Sequence, residues 1–126
     1  MIVLDASAML AFLFRETGHE RVAPVLSESC MSTVNLAEVI TRFSRDGHDA
    51  REVLNHINDS PVELVPFLAE DAALAASLAP SVRDLGLSLG DRACLALAMA
   101  RNVPVYTADR VWRSIDLGLT VELIRS

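Results

Sequence analysis

Four carboxylates stand out in this 126-residue chain because of where they fall. Asp5 closes the short apolar run Ile2-Val3-Leu4, and Asp109 follows Val105-Tyr106-Thr107. Glu38 and Asp91 each lie just inside a helical pattern, and the spacing predicts both in a first turn. If such acids met within about 4 Å, each pair would repel by about 4 kcal/mol at an effective dielectric near 20. A divalent cation relieves that repulsion. Oxygen-only donors with no paired histidine or cysteine favour magnesium or manganese over zinc. Each acid also has a purely local use. Asn35-x-x-Glu38 and Ser88-x-x-Asp91 both fit a capping box, and Asp5 and Asp109 fit N-caps of the segments that follow them. Helix dipoles favour acids at those positions in any case.

The elements that must carry these residues alternate along the chain. Strand-like runs fall at 2–5, 30–34, 62–66, 104–108 and 120–124. Between them run helical patterns: through Met9, Leu10, Leu13 and Phe14; over 19–28 after Gly18; through Leu36, Val39, Ile40 and Phe43; over 49–58; over 69–79, stopped by Pro80; and over 88–101. Residues 111–116 read as a short helical turn. Strands separated by helices predict a single α/β domain over residues 1–126, with a mainly parallel five-stranded sheet between two helical layers. In such a sheet the ligand site lies beyond the carboxyl ends of the strands. All four acids map to a strand exit or a helix entrance, hence to the same edge. The stretch Ala93–Ala100 is apolar on every side, so its helix is expected to be central or part of an interface with a second chain.

Bulk properties are those of a globular domain. The chain is 52% hydrophobic and 22% charged, so it is not a disordered tail. No apolar run approaches the roughly 18 residues of a membrane span. The opening MIVLDASAMLAFLF lacks a positive lead and carries Asp5, so it reads as a retained first strand rather than a leader. Cys30 and Cys94 lie in apolar surroundings and read as buried reduced thiols, which fits a cytoplasmic protein. The net charge of −6 is unusual for a nucleic-acid binder. Bound divalent ions would offset part of it, and all 11 basic residues are arginine, the better bidentate phosphate ligand.

Taken together, VLDASAML, NLAEV, LSLGDRACLALA and VYTAD, in this order and spacing, resemble the PIN-domain nucleases. They are most similar to the VapC-type toxins of toxin–antitoxin pairs, and the resemblance runs essentially end to end. It implies a three-layer α/β/α sandwich and a ribonuclease that cuts single-stranded or looped RNA, leaving 5′-phosphate and 3′-hydroxyl ends. It further implies one or two Mg2+ ions (Mn2+ as a substitute) held by Asp5, Glu38, Asp91 and Asp109, with Ser7 and Thr107 as supporting hydroxyls. The partners implied are RNA, a VapB-type antitoxin and a second copy of the chain.

Arg42 lies four residues after Glu38, so it is expected either to pair with it or to contact phosphate. Arg15, Arg92 and Arg110 are further candidates for that contact. His19, His48 and His56 read as surface residues, Asp116 as a solvated turn residue, and Tyr106 and Trp112 as core or interface residues rather than base-stacking platforms. A receiver-type domain would need a late lysine, which is lacking; a haloacid-type phosphatase would need D-x-D where Asp5-Ala6-Ser7 stands. The remaining alternative is a catalytically silent PIN scaffold used as a protein- or RNA-binding module.

Overall fold

The computed structural model describes residues 1–126. Five short strands form one sheet: β1 (Ile2–Leu4), β2 (Ser29–Ser32), β3 (Glu63–Val65), β4 (Val105–Thr107) and β5 (Val121–Leu123). All neighbours are parallel and the order is β3-β2-β1-β4-β5. The chain therefore builds outward from β1 on one side, then crosses back to lay β4 against its other edge. Seven helices complete the fold: α1 (Ala6–Phe14), α2 (His19–Val22), α3 (Thr33–Arg45), α4 (Ala50–Asn58), α5 (Ala69–Ser77), α6 (Ala79–Val82) and α7 (Leu89–Arg101).

Strand side chains alternate between two cores, as the twofold period of a strand requires. Ile2, Leu4 and Met31 enter a core closed by α1, α3 and α4, where Met9, Val39 and Ile57 are buried. Val3, Cys30 and Val105 face the other way, into a core built from α5, α7 and Trp112. The result is the three-layer α/β/α arrangement expected from the alternation of elements. Half-buried Tyr106 packs against the first core, and Trp112 is fully enclosed in the second. Both cysteines are free and buried, and burial pushes both thiols up. No helix is long and apolar enough to cross a membrane.

Two expectations change, and a third, left between two alternatives, is decided. The helix expected over 19–28 breaks after Val22 into a 3-10 segment, Ala23–Glu28, where Pro24 brings no amide hydrogen. Pro80 does not simply stop the preceding helix. That helix ends at Ser77, and Pro80 lies in the first turn of α6, where a missing N–H costs nothing. The apolar stretch of α7, Ala93–Ala100, is central and largely covered within the chain. It packs on α5, α3 and the strands β1, β2 and β4, and Ala93 through Ala98 are buried. Its composition is accounted for without a second chain.

Because α7 is the wall shared by the sheet and two helices, a cavity there has little freedom to collapse. Leu95 is completely buried. Leu95→Ala should cost about 2–5 kcal/mol, read as a lower urea midpoint at unchanged slope. A loss under about 1 kcal/mol would contradict this packing.

Candidate active site

The carboxyl edge of the sheet, at the point where the order of strand addition reverses, is also where its buried carboxylate lies. Leu4 is paired with Tyr106, and the Asp5 amide donates to the Tyr106 carbonyl at 3.2 Å, so Asp5 and Thr107 leave the sheet side by side. Asp5 is the N-cap of α1 and accepts from the Ala8 amide at 2.8 Å. Ser7 Oγ donates to its carboxylate at 2.7 and 2.9 Å, and Thr107 Oγ1 at 2.6 Å. Backbone amides fix the direction of both hydroxyls. Ala108 N–H donates to Ser7 Oγ at 2.9 Å, and Asp109 N–H to Thr107 Oγ1 at 3.0 Å. Each oxygen accepts from the main chain, and its single proton is directed to Asp5. Asp5 is only 5% exposed. Burial pushes its pKa from 3.8 up to about 6, against the lowering effect of these bonds and with a small further rise from Asp91.

Of the other three acids, Asp109 and Asp91 are held at helix starts and Glu38 by a residue of its own helix. Asp109 is exposed and caps the 3-10 segment Arg110–Ser114, accepting from Val111 N at 3.0 Å. Asp91 forms the expected capping box: it accepts from Ser88 N at 2.9 Å, and its own amide donates to Ser88 Oγ at 3.2 Å. Glu38 departs from the expected position. The N-cap of α3 is Ser32, which accepts from Val34 N at 3.2 Å, so Glu38 lies in the second turn and belongs to no capping box. Its Oε1 accepts instead from the buried Asn35 Nδ2 at 2.8 Å.

Asp5, Glu38, Asp91 and Asp109 all line one open cleft of about 420 Å³, with Ser7, Arg42 and Arg45. Thr107 lies beneath it, buried against Asp5. Arg42 reaches this wall, but its i,i+4 ion pair is with Asp46 at 3.7 Å rather than with Glu38. Its guanidinium lies 5.0 Å from the centre of the Phe14 ring, which is stacked on Phe43. Arg45 also lines the cleft, forms no ion pair, and was not singled out from sequence. The available signal was its position three residues after Arg42, on the same helix face. Arg92 points elsewhere, donating to the Ala75 carbonyl on α5 at 3.0 Å. Arg15, the left-handed C-cap of α1, and Arg110 are exposed outside the cleft, as is Asp116. His19 pairs with Glu20 at 3.4 Å, and His48 and His56 line a separate groove with Leu13 and Phe43.

The acidic cleft contains oxygen donors and no histidine or cysteine, a set suited to a hard divalent cation. No three of the acids approach closely enough to form a ready-made ligand cluster. Magnesium tolerates such spacing, because it commonly keeps several waters and takes only one or two carboxylates.

The family model described as PIN domain matches residues 2–117. Solved structures with the same fold include a toxin–antitoxin complex from Klebsiella pneumoniae, at TM-score 0.76 and 13% identity, covering 98% of each chain. FitAcB from Neisseria gonorrhoeae superposes at TM-score 0.71 with 21% identity, again over 98% of each chain. VapC20 of Mycobacterium tuberculosis, described as a toxin that cleaves the sarcin–ricin loop, superposes at TM-score 0.72 with 18% identity, covering 87% of this chain and 91% of its own. At these identities the likeness establishes the fold. No curated protein matches the sequence at a significant level.

The burial of Asp5 has a measurable consequence in protein free of divalent ions. Between its ordinary value of 3.8 and about 6, the folded chain keeps a proton that the unfolded chain has lost. Stability therefore falls as pH rises through that window, and the penalty stands in full above it. At about 1.4 kcal/mol per pH unit, it amounts to about 3 kcal/mol. Asp5→Asn carries no such charge, so its stability relative to wild type should grow by up to that amount from pH 4 to pH 7 in urea titrations. A difference that stays constant with pH would contradict the burial.

Proposed function

The chain belongs to the PIN domain family, and from that premise we propose that it is a magnesium-dependent endoribonuclease, the toxin of a toxin–antitoxin pair. The observation that carries this reading is the convergence of Asp5, Glu38, Asp91 and Asp109, from separate parts of the chain, on one cleft. That cleft lies at the reversal point of a parallel sheet, where α/β folds bind ligands. Asp5, Glu38, Asp91 and Asp109 would hold one or two Mg2+ ions, with Mn2+ as a substitute. When bound, such an ion supplies a water nucleophile near neutral pH and positive charge for the scissile phosphate.

The chain's own part is to fix the acids and receive the RNA. Ser7 and Thr107 lock the Asp5 carboxylate into one orientation. Arg42, steadied over Phe14, and Arg45 put positive charge on the cleft wall, where the backbone of single-stranded or looped RNA would run. Arg15, Arg92 and Arg110 are not assigned to that contact, since none of them lines the cleft. The toxin reading draws support from the fold shared with toxin–antitoxin complexes. A VapB-type antitoxin with a basic segment would suit an acidic chain of pI about 4.9. Self-association as a homodimer is proposed on the family resemblance alone.

A second reading, a catalytically silent binding module, gains from one observation: each acid already has a local hydrogen-bonding use. Metal binding separates the two. Magnesium at a hundred times its Kd should stabilise the wild type by about 2.7 kcal/mol and leave Asp5→Asn unmoved in thermal melts. Purified wild type should cut RNA to 5′-phosphate ends in magnesium and stop in EDTA, while Asp91→Asn should produce no cuts. A wild type whose melting is indifferent to magnesium and which leaves total RNA intact would replace the nuclease reading with the binding module.

A further inference from the structure

Gly90 is the second residue of α7 and immediately precedes Asp91. Its backbone is helical, not left-handed, so conformational freedom does not explain a glycine there. Glycine is also a poor helix former. Space explains it. A Cβ built on Gly90 would lie 2.6 Å from both Cδ and Oε1 of Glu38, closer than any real side chain tolerates. The Glu38 carboxylate occupies the place where the side chain of residue 90 would be.

Asn35 holds that carboxylate from another direction. It is 1% exposed, and its Nδ2 donates to Glu38 Oε1 at 2.8 Å and to the Gly90 carbonyl at 2.9 Å. Both partners are acceptors only, so the amide nitrogen must face them. Its oxygen is left buried without a partner. An unpaired buried acceptor is costly, and Asn35 bears that cost while its nitrogen holds both Glu38 within α3 and the Gly90 carbonyl of α7. The bond to the Gly90 carbonyl ties α3 to α7 at the point where Glu38, held by the other bond within α3, approaches the residue before Asp91.

We propose that Asn35 and Gly90 are positioning residues that together set the placement of Glu38 relative to Asp91. Asn35 draws the carboxylate toward α7, and Gly90 leaves the room it enters. The purpose assigned to that placement, holding a divalent ion between the two acids, rests on the nuclease reading above.

The test uses the full chain with Mn2+ as probe. In Gly90→Ala, Mn2+ affinity by calorimetry should fall by about tenfold or more, in the range seen when the groups supporting metal ligands are removed. The Asn35 side-chain amide resonances should shift, while helical content is kept. Glu38→Asp shortens the acid by one methylene and so makes room for the added Cβ. Gly90→Ala should therefore weaken Mn2+ binding less in the Glu38→Asp background than in wild type. Independent, multiplying effects would overturn the proposal, as would wild-type affinity in Gly90→Ala. If Gly90→Ala does not fold, the double variant should, and its failure to do so would equally overturn it. If wild type takes up no Mn2+, the nuclease reading falls, and the Asn35 resonances alone decide: unmoved signals in Gly90→Ala refute the clamp.

Discussion

A carboxylate buried at the end of a central strand is the constraint around which this molecule is arranged. β1 is paired on both edges and buried along its length, so the residue that follows it has no freedom to swing into solvent. Asp5 must be satisfied where it stands. The donors come from the next turn of chain, through Ser7 and Ala8, and from the neighbouring strand, through Thr107. Thr107 is about a hundred residues away in sequence, and only the pairing of β1 with β4 delivers it. The last crossover of the sheet and the satisfaction of Asp5 therefore depend on each other.

Capping and ligand binding are not competing explanations for the acids in such a fold. In a parallel sheet each strand ends where the next helix begins, so caps collect at the carboxyl edge. Ionised caps there are favoured by helix dipoles, which also attract a bound anion such as phosphate. Asp91 and Asp109 each give one oxygen to a backbone amide and have a second available to the cleft. Glu38 is the exception that clarifies the rule. It caps nothing, and its position is maintained by Asn35 and by the missing side chain of Gly90.

Much of this was legible in the sequence because it depended on local order. Runs of apolar residues ending in Asp5 and Asp109 marked strand exits, and Ser88-x-x-Asp91 marked the start of α7. What escaped depended on contacts between distant elements. The periodicity of α3 did not reveal that Ser32, at the end of β2, already caps it, which moved Glu38 into the second turn. The apolar stretch Ala93–Ala100 of α7 looks the same whether α5 or another molecule covers it. Arginines were the least legible, since a long side chain goes where its partners are. The Ala75 carbonyl draws Arg92 away, whereas Phe14 holds Arg42 beside the acids.

The same helix that carries Glu38 also bears on how a chain of net charge −6 would receive RNA. Glu38, Arg42 and Arg45 succeed one another at intervals of four and three along α3, which places them on one face, and all three line the cleft. Acid gives way to cation within about two turns of that face. Overall charge governs the long-range field, but within a Debye length of about 8 Å at physiological salt the local order of charges decides. A polyanion in the cleft would meet two arginines beside the acids. Divalent ions among the acids would then turn the most repulsive part of the surface into an extension of the arginine wall. On the proposed reading, the metal therefore has an electrostatic role that precedes chemistry: without it, the cleft would repel the substrate it is shaped to cut.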